Sequence, residues 1–416
     1  MQKYITYKDS IKKIVSSIPN HWKSHRAKDV FDSIDVRSAA GQETLLSVSE
    51  HRGVVPRNEM KITMFMAESY EGYKLCEEGD IVINSLWAWG RGIGVSEYSG
   101  IVSTAYGVFR PRNENQFNPS YLNYLLRTKD YVGLYFMRSK GIWISRLQLQ
   151  DKNFLDLPII CPSKEEQDEI VQHIKAQEEK INQFIQKKRR FIDLLKEQRQ
   201  SIINDKLLIN SKLCKLKFCV TKVGSGVTPK GGGEVYQDEG ILFLRSQNVH
   251  NDGLRLEGIA CISEEINSEM KGSEVQLNDV LINVTGASIG RCFVFNKNER
   301  ANVNQHVCII RPKQEIILSE FLMMQIQSEK IQTIIDMVEG ASREGLTNHD
   351  IKNFYLFVPT LEEQKIIIDD IKTETKTIDT TIAKAEREIE LIREYKEAMI
   401  SEAVMGKRNI NLHHNK

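Results

Sequence analysis

The hydrophobic pattern is most regular along Ser163–Lys206, a stretch that contains neither proline nor glycine. Its apolar residues recur every seven positions, and a second set displaced by four positions falls on the same face of an α-helix. The residues of this face are Ile174, Ile181, Ile185, Ile192, Leu195 and Ile202. Ser163 followed by two glutamates favours a helix start, because a serine side chain accepts hydrogen bonds from free backbone N–H groups. A helix this long with so narrow an apolar face requires a partner helix.

The partner helix is predicted in the same chain, because the pattern that begins at Pro162 begins again at Pro359. In both places a hydroxyl residue, a variable residue, two glutamates and a glutamine follow the proline. The second apolar face comprises Ile371, Ile378, Ile382, Ala385, Ile389, Ile392 and Met399. Upstream, Gly79–Asn84 matches Leu277–Asn283. A period of roughly 200 residues is too long for a solenoid repeat and predicts two copies of a globular unit, each followed by a long helix.

Shorter patterns predict mixed helix and strand in each globular unit. In the first unit, strands are predicted at Leu45–Val48, Ile81–Ile83 and Gly107–Phe109, and one or two helices within Asn118–Phe136. In the second unit, strands are predicted at Ile241–Leu244, Val280–Val284, Cys292–Phe295 and Val307–Ile310, and a helix at Ser319–Val338. A short amphipathic helix is predicted around Ile11–Val15. The predicted fold class is α+β: two globular mixed α/β domains joined by two long antiparallel coiled-coil helices, with a pseudo-two-fold internal repeat.

The repeat also sets the predicted domain boundaries. They are residues 1–162 for the N-terminal segment and first unit, 163–206 for the first long helix, 207–359 for the second unit, 360–405 for the second long helix and 406–416 for a polar tail.

Composition and charge narrow the possible partners. The formal net charge of the 416-residue chain is +1, so nucleic-acid contacts have to come from local patches or be shared with a partner. The seven cysteines form no CxxC motif and are expected to be reduced thiols in a cytoplasmic protein. No apolar run is long enough for a membrane span.

Motifs of several enzyme classes are absent from the sequence. There is no Pro-Pro, so the chain lacks the Asn/Asp-Pro-Pro-aromatic loop of amino-methyltransferases; it also lacks GxxxxGK[ST] and HExxH. Glu-x-Lys occurs at Glu178–Lys180 and Glu374–Lys376, but both lie on the long helices, where such pairs form a solvated face. We therefore predict no catalytic residues and no metal ligands in this chain.

Polar clusters beside predicted strand ends are the candidate DNA-contacting sites, because Arg, Gln and Asn have the geometry to bind base edges in pairs of hydrogen bonds. The candidates in the first unit are Arg52, Arg57, Asn58, Ser85, Trp87, Arg91, Lys140, Trp143 and Arg146. Those in the second unit are Arg245, Ser246, Gln247, Asn248, Thr285, Ser288, Arg291, Gln305, His306, Ser342 and Arg343. Each cluster has a plain alternative as a solvated loop, and His306 has one as a structural histidine.

The glycine-rich segment 224–233 (GSGVTPKGGG) adds Ser225, Thr228 and Lys230 as candidate phosphate contacts. No strand is predicted before it and no helix after it, which disfavours a mononucleotide-binding loop. A plain mobile loop is the other interpretation.

These features together resemble the specificity subunit of type I restriction–modification systems, over essentially the whole chain. The resemblance rests on the two signatures PSKEEQDEI (Pro162–Ile170) and PTLEEQKII (Pro359–Ile367). It rests also on the glycine-rich segment, on NDVLINVTGASIGRC (Asn278–Cys292), on NVNQHVCIIRP (Asn302–Pro312) and on GASREGLTNHDIKNFYLFVP (Gly340–Pro359). It implies two target recognition domains, each contacting one half of a split, asymmetric DNA site, with the helices fixing the spacing between the halves.

The resemblance also implies the partners. They are double-stranded DNA, two modification subunits that methylate adenine, and restriction subunits with motor and nuclease activity, acting together in phage defence. S-adenosylmethionine, ATP and Mg are expected on those partner subunits, with no cofactor in this non-catalytic chain. Two alternatives stay open: a stand-alone methyltransferase or nuclease with its own recognition units, and a coiled-coil scaffold without a DNA role. A silent or recombination-donor copy of the same family is a further possibility.

Overall fold

The computed structural model describes residues 18–60, 69–141, 147–207, 212–341 and 345–407. The chain divides into two compact units: unit 1 combines Met1–Lys188 with Arg387–Lys416, and unit 2 is Arg189–Glu386. Both units contain helices and sheets, and each includes part of both long helices. The amphipathic helix predicted around Ile11–Val15 lies outside the described residues.

Unit 1 contains two small sheets, a hairpin and a four-stranded sheet with helices beside it. Its elements in chain order are β1 (Lys23–Arg26), α1 (Ala27–Val30), β2 (Phe31–Ser33), β3 (Leu46–Ser49), β4 (Gly53–Pro56), β5 (Lys74–Cys76), β6 (Ile81–Asn84), β7 (Ile93–Val95), β8 (Gly100–Val102), β9 (Tyr106–Pro111), α2 (Pro119–Leu126), α3 (Lys129–Arg138), α4 (Asp151–Leu155), β10 (Pro158–Cys161) and the long helix α5 (Lys164–Leu207). The four-stranded sheet is antiparallel, in the order β2-β9-β6-β7.

Unit 2 repeats this plan and adds a second four-stranded sheet. Its elements are β11 (Leu213–Lys215), α6 (Leu216–Cys219), β12 (Val220–Ser225), β13 (Ile241–Leu244), β14 (Val249–His250), β15 (Gly253–Leu254), β16 (Cys261–Ile262), α7 (Glu264–Glu269), β17 (Glu274–Val275), β18 (Val280–Asn283), β19 (Cys292–Val294), β20 (Ala301–Val303), β21 (Val307–Pro312), α8 (Ser319–Gln327), α9 (Glu329–Ala341), α10 (Asn348–Lys352), β22 (Tyr355–Phe357) and the long helix α11 (Leu361–Val404). The antiparallel sheet β12-β21-β18-β19 corresponds to β2-β9-β6-β7, while β16-β13-β20-β17 includes one parallel pair, β13 with β20.

The predicted elements are present, with two changes. The helix predicted at Ser319–Val338 is two helices, α8 and α9, because Ser328 leaves the helical conformation between them. Strand β12, which precedes the glycine-rich segment, was not predicted, because only its first residue, Val220, is buried and its alternation is weak. The prediction that no strand leads into that segment is therefore wrong.

Within each unit the two long helices run antiparallel. In unit 1, Glu178 and Lys188 of α5 pair with Lys396 and Glu388 of α11 at 3.1 and 2.5 Å. In unit 2, Arg199 pairs with Asp379 at 2.8 Å, and Lys206, further along α5, pairs with the earlier residue Glu374 at 2.6 Å. Exposed ion pairs contribute little to stability, so the apolar face between the helices is the stronger contribution.

The buried face of α5 follows the predicted pattern until its last turns. Ile174, Ile181 and Ile192 are buried as predicted, and Ile185 is partly buried. At the C-terminal end Ile203 takes the buried position predicted for Ile202, because an α-helix drifts against a strict seven-residue repeat. On α11 the predicted residues are buried or partly buried. No helix in the described residues is long and apolar enough to cross a bilayer.

The glutamine of each repeated signature anchors a long helix to its unit. Gln167 accepts a hydrogen bond from Asn118 N at 2.8 Å and donates to the carbonyls of Gln116 and Pro162 at 3.0 and 3.1 Å. Gln364 makes the same three bonds, from Leu318 N and to Ile316 O and Pro359 O, each at 2.9 Å. Both glutamine side chains are fully buried, and their amides satisfy backbone groups at the start of each long helix.

A second duplicated contact joins two strands of each four-stranded sheet. Asp80 before β6 accepts two hydrogen bonds from Arg110 on β9, at 2.7 and 2.8 Å. Asp279 before β18 accepts two from Arg311 on β21, both at 2.8 Å. The two carboxylates are buried and the paired geometry compensates their desolvation. The bond to Asp80 also raises the pKa of Arg110.

We predict that Gln364→Met destabilises unit 2. Methionine has nearly the same length but leaves Leu318 N, Ile316 O and Pro359 O without partners, which costs about 3 kcal/mol of unfolding free energy. Urea unfolding followed by circular dichroism measures the change. Gln183→Met, at an exposed position on α5, is the matched control and is expected to leave the transition unchanged. Equal stability of the two variants would contradict an anchoring role for Gln364.

Candidate nucleic-acid interface

Three loops of unit 2 leave the four-stranded sheet at one edge. Strand β12 ends at Ser225, paired with Cys308, and β18 ends at Asn283, paired with Val307, the first residue of β21. Because neighbouring strands are antiparallel, the loop after β12, the loop after β18 and the loop before β21 all emerge together. The edge therefore brings together loops that are up to about 80 residues apart in the sequence.

Predicted contact residues from these three loops form a chain of hydrogen bonds. Thr228 Oγ1 donates to Gln305 Oε1 at 2.7 Å, Gln305 Nε2 lies 3.4 Å from His306 Nε2, and His306 Nδ1 lies 2.7 Å from Thr285 Oγ1. Thr228 and Gln305 are exposed, while Thr285 and His306 are partly buried. This series of hydrogen bonds holds donors and acceptors at fixed positions facing solvent. Contacts to base edges or phosphates require such an arrangement.

Asn348 joins this edge although sequence reasoning did not select it. Thr347 and Asp350 cap the start of α10, and the bond from the Thr347 hydroxyl lowers the pKa of Asp350. This places Asn348 Oδ1 3.4 Å from both Ser225 Oγ and Cys308 Sγ. Burial raises the pKa of Cys308 to about 12, so its thiol stays protonated and can donate. The Thr-x-x-Asp capping pattern was the available signal.

Close packing of the glycine-rich segment against the sheet requires glycine at position 226. Gly226 N donates to Val307 O at 3.1 Å, and a Cβ on Gly226 would lie 1.9 Å from Val303 O. Only glycine therefore lets this loop lie against the strand that precedes β21. Beyond it, Lys230 is exposed and stays a candidate phosphate contact.

Predicted contact residues in the segment after β13 differ in burial: some are accessible, and others are buried and bond to the backbone. Asn248 is buried: its side chain accepts from Arg245 N at 2.9 Å and donates to Arg255 O at 2.8 Å, so it shapes the backbone. Gln247 is exposed, and Ser246 is partly buried with its carbonyl accepting from Asn283. Arg245 lies over the ring of Tyr236 at 5.3 Å, and its buried Nε has no hydrogen-bond partner within the described part of the chain. Tyr236, which sequence reasoning missed, holds this guanidinium in place.

The remaining candidates of unit 2 lie in the loop between β18 and β19. Arg291 is exposed at the end of that loop, and Ser288 is partly buried and accepts from Arg291 N through its carbonyl at 3.2 Å. Ser342 and Arg343 lie outside the described residues, as do Trp143 and Arg146 of unit 1.

In unit 1 most candidates lie in or after the β3–β4 hairpin and in the loop between β6 and β7. Arg52 is exposed in the turn of the β3–β4 hairpin and pairs with Glu59. Arg57 and Asn58 follow β4, beside a cleft that Gln42 and Tyr70 also line. These side chains are accessible, and their contact with DNA stays a prediction.

The loop between β6 and β7 is more constrained than its composition indicates. Ser85 is buried, and its carbonyl accepts from Leu149 N at 2.9 Å. Arg91 has a positive φ of 63° and donates to Glu397 on α11 at 3.1 Å, so this guanidinium is already engaged within unit 1. Trp87 is partly buried, and Lys140 is exposed and bridges to Gln148 through its backbone. No group of three or more His, Cys, Asp or Glu residues suited to a metal occurs among the described residues.

Comparison with known proteins relates both halves of the chain to one family model. A family model described as the type I restriction modification DNA specificity domain matches residues 19–192 and again residues 220–391. The specificity subunit of the type I restriction enzyme EcoBI, from Escherichia coli, is 30% identical over 131 residues, which are 31% of this chain and 27% of that protein. The matched region thus spans just over a quarter of that relative's length.

A solved structure shares the fold, and a second is less similar. A chain from a structure described as the basis of complex assembly and conformational transition of the type I R-M system is similar with a TM-score of 0.62 and 15% identity, covering 94% of this chain and 99% of that chain. The HsdS subunit from Thermoanaerobacter tengcongensis has a TM-score of 0.42 and 16% identity, covering 94% and 98%.

We predict that Gly226→Ala displaces the glycine-rich segment from the sheet edge. The added Cβ would overlap the Val303 carbonyl, and relieving the overlap costs about 2 kcal/mol. Thermal unfolding of the variant is the measurement. Gly272→Ala is the control in the same unit, because a Cβ there meets nothing within 4 Å. A Gly226→Ala protein as stable as this control would show that the loop does not depend on close approach.

Proposed function

The chain belongs to the family of type I restriction–modification DNA specificity domains and contains two copies of that domain, and we propose that it is the specificity subunit of a type I restriction–modification complex. Each unit recognises one half of a bipartite, asymmetric DNA sequence. The subunit thereby directs adenine methylation and restriction by its partners to that sequence.

The observation that carries this proposal is a duplicated framework with unlike loops. The buried Asp–Arg pair, the glutamine anchor and the antiparallel sheet recur in both units. The loops at the sheet edge differ in residues: the first unit has NSLWAWGRG where the second has NVTGASIGR. One scaffold carrying two sets of polar loops is suited to recognising two different half-sites.

The partners are proposed from the family to which the chain belongs, and the low net charge agrees with them. A net charge of +1 provides little of the sequence-independent attraction to phosphates, so part of the DNA contact is assigned to two modification subunits. Those subunits bind S-adenosylmethionine and methylate adenine, and restriction subunits bind ATP and Mg and supply the motor and nuclease. This chain contributes no catalytic group. We propose a cytoplasmic location for the assembly.

The long helices are proposed to set the spacing between the half-sites. Each has 44 residues and is about 66 Å long at 1.5 Å per residue. Their apolar face is continuous, and neither contains proline or glycine, which makes them stiff.

The deciding experiment is long-read sequencing of methylated adenines in cells that express this chain with its cognate partners. A single motif with two specified halves and an unspecified spacer is the expected result. Methylation without a bipartite motif would refute the proposal, and methyl transfer by the purified chain alone would favour a stand-alone methyltransferase.

Lengthening the helices is predicted to lengthen the spacer. Seven residues inserted after Lys188 in α5 and seven after Glu386 in α11, where the compact units meet along the sequence, preserve the heptad pattern and add about 10.5 Å. The methylated motif is expected to gain about three unspecified base pairs at 3.4 Å each, with both halves unchanged. An unchanged spacer in the methylated motif would contradict a spacing role.

Substitution of one arginine is predicted to affect one half-site only. Arg245→Ala is expected to relax one base position by roughly 1–3 kcal/mol, since an arginine held on an aromatic ring can bind guanine with two hydrogen bonds. Lys230→Ala, as control, removes a phosphate contact and weakens binding to all sequences alike. Binding of the complex to DNA with single-base changes in each half measures both effects. Loss of discrimination in both halves by Arg245→Ala would refute independent recognition.

A further inference from the structure

One side chain in unit 1 holds two loops that carry predicted contact residues. Arg127, which directly follows α2, donates from Nη1 to Ser49 O at 3.5 Å and from Nη2 to Glu50 O, both at the turn of the β3–β4 hairpin. The same Nη1 donates to Arg91 O at 3.3 Å and to Ile93 O, where the loop between β6 and β7 ends. A single guanidinium thus joins the hairpin turn to that loop.

In unit 2 a glutamine joins the corresponding hairpin turn to the corresponding loop. Gln327, the last residue of α8, donates from Nε2 to Asn251 O at 3.0 Å and to Cys292 O at 2.9 Å. Asn251 lies in the turn of the β14–β15 hairpin, and Cys292 is the first residue of β19, where the loop after β18 ends. Gln327 is buried, so its amide has been withdrawn from water to make these bonds.

The two residues occupy the same place in the repeated fold. Each is followed by a hydroxyl residue that separates the paired helices, and that hydroxyl donates back to the preceding helix: Thr128 to Leu125 O at 2.9 Å, and Ser328 to Gln325 O at 2.6 Å. The donors therefore extend from equivalent helix ends to equivalent loops, although arginine is charged and glutamine is neutral.

The bonds are well placed to preserve loop geometry. Four carbonyls in unit 1 and two in unit 2 face a half-buried or buried donor, and a carbonyl left without a partner there is costly. Burial, with the charge of Arg91 close by, lowers the pKa of Arg127 to about 10. This value is still above neutral pH, so the guanidinium stays charged and its hydrogen bonds to the carbonyls are charge-assisted.

We propose that Arg127 and Gln327 are positioning residues for sequence recognition. Each fixes the hairpin turn of its own unit relative to a neighbouring loop, the one between β6 and β7 in unit 1 and the one between β18 and β19 in unit 2. Arg52 lies in the hairpin turn of unit 1, and Arg291 directly precedes the bonded Cys292 in unit 2. Losing the donor lets these loops shift independently, so the half-site contacted by that unit is recognised less strictly. The proposal rests on the proposed function of the chain.

Hydrogen exchange of the full-length chain tests the anchoring without any DNA. Arg127→Met keeps the length of the side chain but removes its donors, and amides of residues 49–53 and 85–93 are expected to exchange about tenfold faster. Residues 250–253 and 284–292 are expected to stay unchanged. Gln327→Met is expected to give the reverse pattern. Arg112→Met, which removes an exposed arginine paired with Asp32, is the charge-matched control and should alter neither region.

The functional arm uses the full chain assembled with its methyltransferase subunits. With Arg127→Met, methylation at sites that carry one mismatch in a half-site is expected to rise about tenfold for one half and not for the other. Gln327→Met affects the other half. Arg127→Gln, which gives unit 1 the donor found in unit 2, is expected to restore most of the discrimination.

The two arms separate the possible failures. Faster loop exchange with unchanged half-site discrimination overturns the positioning role, as does equal loss in both halves or unchanged exchange in either Met variant. If Arg127→Met fails to fold, the Arg127→Gln and Gln327→Met variants still test the proposal. A wild-type complex that methylates no bipartite sequence refutes the proposed function instead, while the exchange arm still reports whether the loops are anchored.

Discussion

The apolar face of the two long helices is the constraint on which the rest of the structure depends. A 44-residue amphipathic helix cannot hide its apolar side alone, and here each unit supplies half of one helix against half of the other. The core of unit 1 accordingly includes Ile170 and Ile174 from α5 with Met399 and Val404 from α11. Unit 1 is therefore built from two segments distant in sequence, and in both units the long helices are part of the core.

Framework and recognition are separated within each unit. Polar contacts that recur in both copies hold helices and strands in place. They are those of Gln167 and of Gln364, and the two pairs in which a buried aspartate binds a partly buried arginine. The loops at the sheet edge carry the polar side chains that differ between copies. Because the anchors satisfy backbone groups, the loop residues are free to vary without loss of the fold, which agrees with the proposed recognition of two different half-sites.

The candidate site was predictable in part. Residue types with base-contacting geometry selected loops beside the sheets, in which Arg52, Gln247 and Arg291 are exposed, and their contact with DNA stays a prediction. Composition could not distinguish them from Asn248 and Ser85, which are buried and serve the backbone, or from Arg91, which pairs with Glu397. That distinction depends on which groups meet in the folded chain, from seven residues apart at Asn248 to 306 residues apart at Arg91. Asn348, Tyr236, Arg127 and Gln327 were missed for the same reason.

The internal repeat, the long helices and most strands follow from the sequence itself, because periodic burial leaves a periodic pattern of apolar residues. Helices α5 and α11 each differ from their predicted bounds by one residue at each end. Tertiary structure alone settled the drift from Ile202 to Ile203, strand β12, and the equivalence of Arg127 with Gln327. These depend on which groups meet in space, and an arginine and a glutamine that bond to the same carbonyl positions leave no shared pattern along the chain.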